Sequence, residues 1–380
     1  MFADTPDQQL FEAGTRRFLE ANFPVSRIRE LADAPTAFEP TVWREGAALG
    51  WTTLLVPDEA GGGSISGNGL ADVLIVASLF GQHAAPGPLL GTNVVAAALG
   101  RWGSTEQQTG PLAEIVAGES VAAWAHASTR GLRPSSRVGV TATPSGSTVV
   151  LRGRLGSVES ASDTGYLLLT ADAPQGRTQF LVAVATVGVQ LSALRSIDLT
   201  RRFYDVILDD VVVPVAAQVG EAGSADEHDA DLLDIVAAML LGEMVGAIDR
   251  AFTMTLEWTF NRYSFGRPLG SYQEIKHRVA DMRTHLEAGE AVAARAARAV
   301  GTGAQDARSW VSAGMTYLGH HAPEVIQDCI QLHGGIGVTY DHDLHLFLRR
   351  ATLDAQLFGS PSDFAQRLGL LVSTAEGAMA

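Results

Sequence analysis

Hydrophobic spacing along the 380-residue chain changes twice, and this double change constrains the fold more than any other feature. Apolar residues first recur at helical spacing, in QQLFEAGTRRFLEANF and again in GLADVLIVASLFGQ. From about residue 119 the pattern breaks into short runs rich in Val, Thr and Leu, bounded by Gly, Ser, Asp and Pro: VGVTATPSGSTVVLRGRL, TGYLLLTA, QFLVAVAT and YDVILDDVVVP. Such runs predict the strands of an antiparallel β-domain. After the linker EAGSADEHDAD the helical period returns. In YQEIKHRVADMRTHLEAGEAV, Ile275, Val279, Met282 and Leu286 step by four, three and four, a stripe suited to bundle packing. The expectation is an α+β chain with a helical unit over 1–118, a β unit over 119–224 and a helical unit over 225–380. No strand-helix-strand alternation and no repeat of roughly 20 to 50 residues interrupts that order.

Charge and composition narrow the function. A formal charge of −15 argues against nucleic acid as a partner, because binding a phosphate backbone needs clustered cations. The longest apolar run, around FLVAVATVGV, is far short of the roughly 20 residues of a spanning helix, and no basic, apolar leader opens the chain. Cys329 is the only cysteine, which excludes an internal disulfide and thiolate-rich metal sites. A soluble, cytoplasmic protein without membrane or nucleic-acid partners is expected. VPDEAGGGSISG reads as a surface loop, since no Gly-Lys-Ser/Thr follows its glycines.

Two segments draw attention. NRYSFGRPLGSYQEIKH sets Arg262, Phe265 and Gln273 around a turn between two long helices. QLHGGIGVTYDHDLHLFLRR breaks a helix at Gly334, Gly335 and Gly337, where missing side chains let a ligand or another backbone approach, with Gln331 about one turn earlier. Taken singly, Arg262 reads as a surface charge and Gly-Gly-Ile-Gly as a helix C-cap. His333, His342 and His345 lack the carboxylate or cysteine that would complete a recognised metal spacing. Ser360 lacks the Gly-x-Ser-x-Gly elbow of a hydrolase nucleophile.

Together and in this order, behind a β unit, the two segments resemble the acyl-CoA dehydrogenase family, and in particular subunits of actinobacterial α2β2 acyl-CoA dehydrogenases. The resemblance runs through nearly the whole chain: WREGAALGWTTLLVPDEAGGG is similar to the family's N-terminal helical region, LRGRLGSVESASDTGYLLLTA to its middle β-domain and DLTRRFYDVILDDVVVP to the end of that domain. It implies an N-terminal helical domain, a middle β-barrel-like domain and a C-terminal four-helix bundle. It also implies FAD as cofactor, an acyl-CoA substrate and an electron-acceptor flavoprotein. The chemistry implied is α,β-dehydrogenation, in which a carboxylate takes the α-proton and the β-hydrogen leaves as hydride to the flavin.

The resemblance also exposes departures. The family's loop glutamate falls at Ser360, followed by Pro361 and Ser362, and the alternative glutamate position on the first long bundle helix falls at about Val236. Asp234 and Asp363 are the nearest carboxylates in sequence and the candidate bases, beside a carboxylate that the resemblance does not align. The Trp and Thr with which the family commonly holds its own flavin ring are missing from Gly156-Ser157-Val158. Intact are the elements that reach the neighbouring chain's FAD: Arg262, Phe265, Gly266, Gln273, Gln331, Gly334 and Gly335. The pattern implies a base-lacking chain that completes a partner's flavin site in an α2β2 assembly, with steroid or side-chain degradation as its setting. A homotetrameric dehydrogenase with an atypical carboxylate and a flavin-free interaction protein on the same fold are the alternatives. Arg and Ser side chains in SALRSIDLTRRF read either as solvated surface or as contacts to CoA phosphates.

Overall fold

The computed structural model describes residues 1–34, 36, 38–126 and 139–379. Five helices open the chain: α1 (Pro6–Asn22), α2 (Val25–Asp33), α3 (Pro40–Ala48), α4 (Gly69–His83) and α5 (Leu89–Trp102). Two short turns follow, α6 (Thr105–Gln107) and α7 (Ala113–Val116). Sequence sets their ends: Thr5 and Gln8 close a reciprocal capping box on α1 with Pro6 in its first turn, and the Asn68 side chain caps α4.

The middle region is one sheet built from β1 (Ala122–Ala125), β2 (Val140–Ser145), β3 (Thr148–Glu159), β4 (Tyr166–Ala173), β5 (Gly176–Ala183), β6 (Val189–Leu194), β7 (Phe203–Pro214) and β8 (Gln218–Val219). Its order is β6-β7-β3-β2-β4-β5-β8, with β1 beside β4. Most pairs are antiparallel, as the alternation predicts, but β1 runs parallel to β4, and β2 meets β4 in parallel at Thr141 and Asp172. The sheet is therefore mixed. Ala-Ala-Trp-Ala is four wholly buried residues without a β-branched side chain, so neither alternation nor propensity marks β1 as a strand. Val138, the first residue of one predicted strand, lies outside the described residues.

Three long helices and two shorter ones complete the chain: α8 (Ala225–Asn261), α9 (Gln273–Gly301), α10 (Ala307–His333), α11 (Leu344–Asp354) and α12 (Pro361–Met379). A small hairpin of β9 (Tyr263–Ser264) and β10 (Arg267–Pro268) links α8 to α9. From Leu232 to Ile248 every α8 residue is buried, Asp234 and Glu243 included, so this helix is enclosed on all sides and forms the axis of the larger core. On α9, Met282 and Leu286 of the predicted stripe are buried, while Ile275 and Val279 are half-buried.

Glycine brings α4 and α8 close together. A Cβ on Gly81 would stand 2.0 Å from the Glu243 carbonyl oxygen, and one on Gly246 would stand 1.9 Å from that of Ser78. Neither helix tolerates a side chain at those points. A single apolar cluster consequently unites the N-terminal helices with the C-terminal bundle, and a second fills the sheet. Among the described residues no helix is long and apolar enough to cross a membrane.

Candidate active site and nucleotide groove

A cleft of about 380 Å³ lies where β1, β3, α5, α8 and the α11–α12 loop converge. Both positions that the sequence marks for a base line it: Ser360 at the start of α12 and Val236 on α8. The Ser360 hydroxyl is engaged in capping. It accepts from the Asp363 amide at 3.2 Å and donates to Asp363 Oδ2 at 2.7 Å, and its backbone N–H donates to the same oxygen at 3.0 Å. With Pro361 as the first helical residue, Ser-Pro-Ser-Asp is a capping box, a helix-start signal legible in the sequence. Asp363 also lines the cleft.

Asp234 faces elsewhere. Two residues from Val236 on α8, it is turned roughly 200° round the helix. Its side chain is buried against Arg367 Nη1 at 2.7 Å and Arg308 Nε at 3.3 Å, and it does not line the cleft. Burial pushes the Asp234 carboxyl up, against the pull of Arg367. The sequence candidate Asp234 is thus a clasp between helices.

Two further titratable groups in the cleft escape a sequence reading. Glu159, the last residue of β3, lines the wall with its side chain only 12% exposed and 3.4 Å from Arg201 Nε. Burial raises its carboxyl, with Arg201 opposing. His126 follows β1, its ring 4.4 Å from that of Trp124, and its buried Nδ1 has no hydrogen-bond partner among the described residues. Burial lowers the His126 imidazole, which keeps it neutral near pH 7. Trp124 in turn stacks on Phe358 at 5.5 Å. Gly156 and Ser157 reach the cleft through a bulge in β3, where Ser157 adopts φ 55°, while Val158 turns into the sheet core. This wall offers a hydroxyl and bare backbone, with neither indole nor threonine.

A second concavity, a groove of about 460 Å³, opens at the far end of α8. Arg262, Gln331, Gly334 and Gly335 line it together, although the first lies on one helix end and the others on another. Arg262 caps α8, and Gly334, at φ 64°, ends α10. A Cβ on Gly334 or Gly335 would meet nothing within 4 Å, so the turn presents open backbone to the groove. Phe265 stands on the β9–β10 turn with φ 50°, followed by Gly266 at φ 79°, and its ring is 98% exposed. A bulky residue held in the left-handed region with its ring in solvent is backbone strain kept at a protruding point. Gln273, the exposed first residue of α9, does not line the groove. Trp258 and His333 do, and neither was singled out by its sequence motif as a nucleotide contact.

The three histidines do not converge. His333 and His342 meet edge to face at 4.5 Å, whereas His345 stacks on Tyr340. Among the described residues no group of three His, Cys, Asp or Glu side chains could hold a metal ion. Cys329 is buried, its thiol pushed up to about 12, as a core residue.

Residues 5–119 match the model of the acyl-CoA dehydrogenase N-terminal domain, and residues 230–361 match that of the acyl-CoA dehydrogenase C-terminal domain. The chain belongs to the acyl-CoA dehydrogenase family. Members are FAD-dependent oxidoreductases, and the helical, sheet and bundle arrangement is the family fold. Similar proteins include the acyl-CoA dehydrogenase IpdE2 of Mycolicibacterium smegmatis, 27% identical over 95% of this chain and 97% of that protein. IpdE2 of Mycobacterium tuberculosis is 29% identical over 90% of this chain and 89% of its own length. Among solved structures, the Tcur3481-Tcur3483 steroid acyl-CoA dehydrogenase variant superposes with a TM-score of 0.85 at 27% identity, covering 98% of this chain and 99% of that one. The ChsE4-ChsE5 complex from Mycobacterium tuberculosis gives 0.87 at 24% identity over 98% and 99%, a likeness of fold.

The groove suits the family's cofactor. It holds a guanidinium beside open glycine backbone, a donor set for an anionic dinucleotide.

Proposed function

We propose that this chain is the base-lacking subunit of an FAD-dependent acyl-CoA dehydrogenase, assembled with a second, catalytic chain as an α2β2 tetramer. The reading rests above all on one observation. Ser360 and Val236, the two positions that the resemblance marks for a base, both line the cleft, and neither side chain accepts a proton near pH 7. The remaining sequence candidates are committed: Asp234 to two arginines, and Asp363 Oδ2 to the Ser360 cap.

In the assembly FAD supplies the hydride-accepting chemistry. This chain's part is to bind and orient. Arg262 and the Gly334-Gly335 backbone would hold the dinucleotide's phosphates, with Gln273, Gln331 and Phe265 extending the contact toward the partner. The partner would supply the carboxylate that takes the α-proton. A steroid-derived acyl-CoA is the proposed substrate class, because the Tcur3481-Tcur3483 relative is itself described as a steroid enzyme. The two-chain composition of that relative supports the proposed assembly.

A second reading has its own observation. Glu159 places a carboxylate in the cleft, where it would serve a self-sufficient enzyme if released from Arg201. One experiment separates the two. The chain purified alone is expected to lack stoichiometric flavin absorbance and to oxidise no acyl-CoA. Co-expression with a second dehydrogenase chain that carries the loop glutamate should restore both. Flavin-loaded, active protein from this chain alone, inactivated by Glu159→Gln, would establish the second reading instead.

A further inference from the structure

We propose that Arg29 is a positioning residue for the flavin dinucleotide: from α2 it clamps the segment 337–343 and thereby fixes the Gly334-Gly335 backbone of the groove. This role rests on the reading of the groove as a flavin site. Arg29 does not itself line the groove, and no sequence motif marks it.

The helix that carries Arg29 is firmly seated. Ile28 and Leu31 bury one face of α2, and Arg202 donates to the carbonyls of Leu31, Ala32 and Ala34 at its end. From there the guanidinium makes four hydrogen bonds to a segment far along the chain. Its Nε and Nη2 donate to Asp343 Oδ1 at 3.1 and 2.7 Å, Nη1 to the Tyr340 carbonyl at 2.8 Å and Nη2 to the Asp341 carbonyl at 3.0 Å. It also lies 5.6 Å from the centroid of the Tyr340 ring. A lone surface ion pair would hold little, but a planar fork that spans a carboxylate and two carbonyls fixes both distance and direction.

The clamped segment is continuous with the groove. Gly337 donates its N–H to the Gly334 carbonyl at 3.0 Å, Thr339 to that of Ile336 at 3.1 Å and His342 to that of Thr339 at 3.3 Å. Successive turns thus run from the glycines to the clamp. His342 then meets His333, which lines the groove, edge to face at 4.5 Å. Ile336, Val338 and Tyr340 are exposed, so burial does little to fix these turns, and the contacts of Arg29 carry the larger share. A turn already held in its binding shape pays no ordering cost when the dinucleotide arrives.

The test uses the flavin-loaded enzyme with its second chain, stripped of flavin and titrated with FAD. Arg29→Ala should weaken FAD binding about tenfold, as when the competent turn falls to about one molecule in ten. Turnover at saturating FAD should stay within about twofold. Amide hydrogen exchange of the flavin-free enzyme should speed up in 334–343 and hold steady in α8 and α9, a local signature that general destabilisation does not give. Asp343→Ala should reproduce the loss, and the double variant should add little to either, because both break one clamp. A change in FAD affinity of about threefold or less for Arg29→Ala, or exchange that speeds up throughout the chain, overturns the role of Arg29. A large loss for Arg262→Ala in the same titration then leaves the groove reading standing. If Arg262→Ala also leaves FAD affinity unchanged, the groove reading falls and takes this inference with it.

Discussion

At Ser360 a hydroxyl does the work of a helix cap. It pairs reciprocally with Asp363, and Pro361 preorganises the first turn of α12. This gives the position a cost of substitution unrelated to proton transfer. Ser360→Ala is expected to lower stability by about 1 kcal/mol, read as a shift in the denaturation midpoint, because the Asp363 amide loses its acceptor. It should leave the turnover of the assembled enzyme within about twofold, since the small cost of a lost cap sits in folding rather than in any transition state. A loss of turnover out of proportion to stability would place Ser360 in the chemistry. That Ser360 is no carboxylate was legible, because the expected base is a residue type at a motif position. The cap was legible too, as Ser-x-x-Asp before an apolar run. Glu159 and His126 were not, because the strands carrying them reach the cleft only through sheet pairing and a bulge.

Between elements, the order helix, strand, helix follows from period alone, since burying one face imposes 3.6 on a helix and 2 on a strand. Period names no pairing partner, and so the parallel partnership of β1 with β4 lay beyond it. It also passes over the glycines by which α4 and α8 touch. Gly246 reads as a weak point in a helical stripe, yet it is where the Ser78 carbonyl rests on α8. Helix propensity predicts that Gly246→Ala stabilises by up to about 1 kcal/mol. Packing predicts the reverse, because a Cβ 1.9 Å from a backbone oxygen forces the helices apart. The steric effect should win, with a net loss of about 1–3 kcal/mol in chemical denaturation, the usual scale of overpacking. A stabilised variant would mean that the two helices have slack at that crossing.

Across the whole molecule, six charges meet where the helical units and the sheet adjoin. Arg201 pairs with Glu159, Glu243 and Asp354, and Arg350 with Asp198 and Glu243. Arg350 also donates to the Ala85 carbonyl at 3.0 Å, which ties in the N-terminal helices. Two cations thus face four carboxylates in the interior, and the cluster carries excess negative charge unless it holds protons. Asp354 is the place for one: fully buried, with both oxygens lacking a hydrogen-bond partner among the described residues. Burial pushes its carboxyl well above the ordinary range, against the pull of Arg201. Asp198 goes the other way, held low by Arg350 and Arg201 despite its burial. The sign for Asp354 follows from linkage. The unfolded chain releases this proton at about pH 4 while the folded chain keeps it, so the stabilising contribution is complete below that pH. It is lost as pH rises toward the folded value, at up to about 1.4 kcal/mol per pH unit. Asp354→Asn retains shape and removes the titration. Denaturation free energies measured from about pH 5 to 8 should decline with pH in the wild type and decline less in the variant, because only the former must hold or surrender that proton. Parallel slopes would show that the Asp354 charge is already matched by Arg201, and that the four carboxylates share their two cations without a bound proton.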